Sequence, residues 1–139
     1  MAIELHIFMQ DSRVPNREIW QKAIDQLGFP AVLVASLDVR NDTGFSPTSF
    51  RGKSTGFEFY LEPAADILDS YTHIAPRVGS RDQCATFRWG GDMMECGAAI
   101  AAAAALAHVA DGIYFYPDDD IIYDAAEAVT ATRRDLQEI

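Results

Sequence analysis

Three consecutive acids, Asp118, Asp119 and Asp120, lie in a stretch that also carries Tyr114, Phe115, Tyr116 and Tyr123. Carboxylates in such company can hold a hard cation or present a face to a basic protein. The EF-hand order D-x-[DN]-x-[DN]-G with its distant glutamate is absent, so a calcium loop is not expected. Between residues 111 and 127 there are six acids and no base. Acids of one sign steer a basic partner and aromatic rings anchor it, so Tyr114, Tyr116, Asp118, Asp119, Asp120, Tyr123 and Asp124 form the candidate binding face. The competing structural reading is that Tyr114 and Tyr116, or Ile113 and Phe115, form the core face of a strand.

Other chemistry finds less support in the spacing. Nucleophilic catalysis needs a serine or cysteine within reach of a histidine, and His6, His73 and His108 are far apart, on a strand, in a loop and near a helix end. Cys96 falls one turn into a helix, where a thiol pKa can drop, but the neighbouring Asp92 and Glu95 oppose that. No CxxC or HExxH is present, so no zinc or other metal is expected, and no cofactor either. Gly90-Gly91-Asp92 could cradle a phosphate at a helix N-terminus, except that Asp92 occupies the anion position itself. Arg40, Arg51, Lys53, Arg77 and Arg81 fall in two polar stretches and read as solvated loop charges.

The elements that must position these residues follow from where period two gives way to period 3.6. Ile3, Leu5, Ile7 and Met9 alternate with Glu4, His6 and Phe8 in a first strand. Pro15 suits the first turn of a helix carrying Ile19, Trp20, Ala23, Ile24 and Leu27, stopped by Gly28. The apolar run 31–37 predicts a central strand buried on both faces. Residues 40–56 predict a long loop or irregular hairpin, 57–62 a strand, 64–71 a short helix and 72–82 a second loop. In 83–89, Cys84, Thr86 and Arg88 oppose Ala85, Phe87 and Trp89. Asp92 with Glu95 predicts a capping box for an alanine-rich helix to about Val109, and Asp124 with Glu127 a second box for the last helix. Between them lie a strand over 113–116, a turn over 117–120 and a short extended piece over 121–123. The order implies an α+β (or α/β) sandwich, a mixed sheet of about five strands covered by helices in a single domain spanning 1–139.

Composition narrows the function classes. With 139 residues, 49% hydrophobic and 23% charged, the chain is an ordinary globular one. Eleven Lys and Arg against 21 Asp and Glu give a net charge of −10, which disfavours nucleic acid or anionic membrane as a partner. Residues 1–88 hold 11 acids and nine bases, and residues 89–139 hold ten acids and two bases, so the excess is C-terminal. The N-terminus lacks a basic, apolar-cored leader and the longest apolar run, 97–107, is short for a membrane span, so a soluble cytoplasmic protein is expected, with both cysteines reduced.

From Thr86 onward the chain resembles small bacterial immunity proteins of toxin-immunity systems, including contact-dependent growth inhibition. The likeness lies in Thr86 to Asp92 (TFRWGGD), the alanine-rich helix, Asp111 to Pro117 (DGIYFYP) and the acid-capped last helix, about 50 residues in all. It implies an inhibitor that binds and neutralises a cognate toxin domain, often a nuclease, without doing chemistry itself. The expected function is therefore an immunity-type inhibitor and not an enzyme. Two alternatives stand beside it. One is a small hydrolase or transferase with a site in the 40–56 and 72–82 loops using His73, Arg77 and Asp82 with Cys84. The other is a self-assembling structural or regulatory module.

Overall fold

The alternation in the first strand divides the molecule into two unequal halves. In β1 (Ile3–Met9), Leu5, Ile7 and Met9 are buried on one side of the sheet, while Phe8 on the other joins a smaller apolar cluster. The same division runs through β5 (Gln83–Trp89): Ala85, Phe87 and Trp89 enter the larger core and Cys84 the smaller one. The two strands pair antiparallel, with Leu5 opposite Phe87 and His6 opposite Thr86.

The computed structural model describes residues 2–139. Among them the remaining strands are β2 (Ala31–Leu33), β3 (Gly44–Phe50), β4 (Lys53–Pro63), β6 (Ile113–Tyr116) and β7 (Ile121–Tyr123), in the order β2-β3-β4-β5-β1-β6-β7. The fold is α+β. The sheet has seven strands rather than about five and is antiparallel throughout rather than mixed.

One added strand is β3, hidden in a sequence of Gly, Ser, Thr and Pro. It forms because Arg51 and Gly52 both adopt left-handed backbone, φ 51° and 78°, the two-residue turn whose twist suits a hairpin. Arg51 pays a steric penalty there, offset by its guanidinium, which donates to the carbonyls of Leu136 and Ile139 and lies over the Phe50 ring. Pro47 is tolerated because its missing N–H lies on the side away from β4, at the edge where β2 ends opposite Thr48, and the Val34 N–H still donates to its carbonyl at 3.1 Å. The other added strand is β7, which pairs with β6.

The run 31–37 is not a central strand. Only Ala31–Leu33 pairs, at the sheet edge, and Val32 is half exposed. Gln21 of α1 (Arg17–Gln26) seals that edge: its amide donates to the Ala31 carbonyl at 3.0 Å and accepts from the Leu33 N–H at 2.8 Å. Arg17 adds a bond to the Leu33 carbonyl at 2.6 Å. Pro15 precedes the helix rather than opening it, since Asn16 is the N-cap, its side chain accepting from the Ile19 N–H. Trp20, Ala23 and Ile24 face the core, but Ile19 is exposed.

Helix α4 (Met93–Ala110) organises the larger half, packed between α1 and α5 (Ala125–Leu136) across the sheet. Every residue from Gly97 to Ala107 is buried, which alanine permits because neighbouring backbones approach closely on all sides. By length and composition α4 could cross a membrane, but 67% of it is buried within the protein. Asp92 caps it, accepting from Met94 and Glu95, whereas the Glu95 side chain reaches back to the Gly90 N–H, so the expected reciprocal box does not close. The box at α5 does close, between Asp124 and Glu127. Short helices α2 (Ala64–Leu68) and α3 (Ala75–Val78) cover part of the opposite face, over Phe8, Cys84, Ile113 and Phe115.

Candidate functional site

At one end of the sheet β5 and β6 finish, α4 begins and α5 ends. Tyr114 and Tyr116, two apart on β6, project to the α4 side, and pairing with β7 sets Tyr123 opposite Tyr114 and Ile121 opposite Tyr116. From α4, Met93, Cys96 and Ile100 recur at helical spacing on the side facing these strands. Trp89 closes one wall, and Asp119, Asp135, Glu138 and Ile139 complete the rim. Together these residues surround a cavity of about 330 Å³, near the small end of ligand pockets, which run to roughly 300–1,000 Å³.

The floor is rigid and aromatic. Tyr114 is buried, with its ring centroid 5.7 Å from that of Tyr123. Burial raises the Tyr114 phenol pKa far above its ordinary value, opposed by a hydrogen bond with Thr132 and reinforced by Asp135. Tyr116 is shifted upward too, first by burial and then by Asp118 and Asp119. Burial and then Asp135 likewise raise the Cys96 thiol, which therefore stays protonated and is a poor nucleophile. Among the described residues no Lys, Arg or His lines the cavity. The Trp89 indole N–H, in a side chain only 4% exposed, has no acceptor among them either.

Of the residues expected to bind a partner, Tyr114, Tyr116, Asp119 and Tyr123 meet in this cavity. Tyr114 does so from within the core rather than from an open surface, because β6 buries both its faces: Ile113 and Phe115 fill the smaller cluster while Tyr114 joins the larger. Asp118 is exposed beside the rim. Asp120 turns away to His73, 2.7 Å distant, and Asp124 is engaged as the α5 N-cap. Trp89, Met93, Asp135 and Glu138 were not expected at a site. Aromatic Trp89 at the end of an alternating strand was the available signal, but nothing local brings residues 135–138 to it.

The residues of the loop-built enzyme reading go separate ways. His73 meets Asp120, Arg77 lies 3.9 Å from Glu127, and Asp82 accepts from the Asp11 N–H at 2.8 Å. Cys84 is fully buried, and burial above all drives its thiol pKa strongly upward. Its sulfur lies 3.8 Å from both His6 Nδ1 and Thr86 Oγ1, inside the smaller core. Arg40 and Arg81 are likewise engaged locally, with Asp11 at 2.8 Å and Asp111 at 3.9 Å. No cluster of three or more metal-ligating side chains occurs among the described residues. No family model matches the sequence, and neither a curated protein nor a solved structure matches it.

Proposed function

We propose that this protein is an immunity-type inhibitor that binds and neutralises a cognate bacterial toxin domain, acting in the cytoplasm through the acidic, aromatic end of its sheet. The observation that carries the reading is the cavity rimmed by Asp119, Asp135 and Glu138 and walled by Trp89, Tyr114, Tyr116 and Tyr123, with no base in its lining among the described residues. A toxin that acts on an anionic substrate such as nucleic acid carries a basic active site, which an acidic surface can occupy in the substrate's place. Asp118, exposed next to the rim, extends the negative field outward. Rigid aromatic walls supply the contact area that a tight interface concentrates in a few residues.

The test is growth of cells that express the terminal domain of the protein encoded immediately upstream, with and without this chain. Rescue that depends on this chain supports the inhibitor. A harmless neighbour, or toxicity that persists in its presence, overturns the reading and returns weight to an enzyme or a self-assembling module.

A further inference from the structure

We infer that the cavity between α4, α5 and the β6–β7 edge is the seat for one arginine side chain of the partner protein. The inference rests on the inhibitor reading for the identity of the partner, but the preference for arginine belongs to the cavity and can be measured alone.

Two independent features specify this occupant. The first is charge: Asp119, Asp135 and Glu138 line the cavity without a base. Arg134 Nε stands 3.7 Å from Asp135, whereas Asp119 and Glu138 take part in none of the ion pairs among the described residues. The second is shape: Trp89, Tyr114, Tyr116 and Tyr123 offer ring surfaces, and a planar guanidinium stacks on such faces while its fork of donors reaches carboxylates, which an ammonium does less well. The cavity is also small, fitting a single long side chain better than a larger organic ligand.

The experiment uses the whole chain labelled with ¹⁵N and two blocked peptides, acetyl-Gly-Arg-Gly-amide and its citrulline counterpart, which has the same shape without the charge. The protein has two tryptophans, so two indole N–H signals are expected. Trp20 already donates to the Ala102 carbonyl at 2.9 Å, and its signal serves as the internal control. The expected result is a saturable shift of the Trp89 signal by the arginine peptide, a binding constant at least roughly tenfold weaker for citrulline, and a similar loss in the Asp119→Asn, Glu138→Gln double variant. These two residues are exposed, so the variant tests binding without disturbing the core. Equal responses to both peptides, or no shift of Trp89 with either, overturn the inference. The growth assay separates the two ideas: specific arginine binding without rescue leaves the cavity assignment and sinks the inhibitor. Full rescue by the double variant sinks the arginine seat and leaves the inhibitor.

Discussion

The ring of Phe50 occupies the space that a side chain at position 97 would need: a Cβ built on Gly97 would lie 2.5 Å from Phe50 Cζ, and two further ring atoms are within 3 Å. Phe50 is fully buried, with the Arg51 guanidinium over its ring, so it has no free direction in which to swing. This contact fixes how closely α4 approaches β3.

Gly97→Ala is therefore expected to destabilise the protein. Alanine gains about 1 kcal/mol of helix propensity over glycine, but overpacking a closed core costs about 1–3 kcal/mol, so steric conflict wins or at least cancels the gain. Urea denaturation should show a loss of about 1 kcal/mol. Adding Phe50→Leu to Gly97→Ala should recover part of it, and equal losses from Gly97→Ala with and without Phe50→Leu would disprove the contact's role.

Stability is expected to fall in mild acid because of His6. The ring is 1% exposed, Nδ1 is 2.9 Å from Thr86 Oγ1, and Nε2 faces Glu4 Oε1 at 3.6 Å, too far for a good hydrogen bond. Glu62, which accepts from Thr86, and Arg88, 3.9 Å from Glu4, are the next charged groups, and the rings of Tyr71 and Phe115 pack alongside. Burial lowers its pKa from 6.5 to about 4. The unfolded chain thus binds the proton first, so the stability contribution is complete above about pH 6.5 and is lost as pH falls towards 4. The loss over that window is on the order of 3 kcal/mol. His6→Gln should flatten the stability profile between those pH values relative to the parent, and an identical slope in both proteins would rule His6 out as its source.

Gln21→Ala should expose the edge of the sheet. Its amide covers the Ala31 carbonyl and the Leu33 N–H, both otherwise left without a partner beside a half-exposed Val32. Losing those bonds should cost about 1–3 kcal/mol and open β2 to pairing with a second chain. Sedimentation velocity should detect self-association that the parent lacks at the same concentration; an unchanged stability would contradict the sealing role.

The acids of the C-terminal region should divide into two kinds. Asp124→Ala removes the α5 N-cap and should lower stability by about 1 kcal/mol. Replacing both Asp118 and Asp119 with lysine should leave stability within about 0.5 kcal/mol, as expected of exposed positions outside the ion pairs among the described residues. Against the cognate toxin domain that charge reversal should slow association roughly tenfold at low ionic strength, with the difference shrinking as salt is added. An association rate that does not respond would remove these acids from the binding face.

Much of the chain was legible because its signals are local. The alternation of Leu5, Ile7 and Met9 against Phe8, and of Ala85, Phe87 and Trp89 against Cys84, set the two faces of the sheet before any contact was known. Asp92 and Asp124 marked helix starts through hydrogen bonds to residues two or three positions on. β3 was only half legible, as one of two readings of 40–56, a long loop or an irregular hairpin, since its Gly, Ser, Thr and Pro favour turns and become a strand only through pairing with β4 and the left-handed Arg51-Gly52 turn. The run 31–37 misled for the converse reason: strong strand propensity cannot reveal that just one neighbour, β3, is available.

By itself the sequence determined that helices and a sheet share one fold, the caps at Asp92 and Asp124, the faces of β1 and β5 and the acidic bias of the C-terminal region, because each depends on spacing within one element or on a sum of charges. Strand order, the sealed edge at Gln21, the place of Gly97 against Phe50 and the joining of Trp89 to Tyr116, Asp119 and Glu138 were decided by the tertiary structure alone. These are meetings of residues far apart in the chain, and only the packing of α4 and α5 across the sheet brings them within reach.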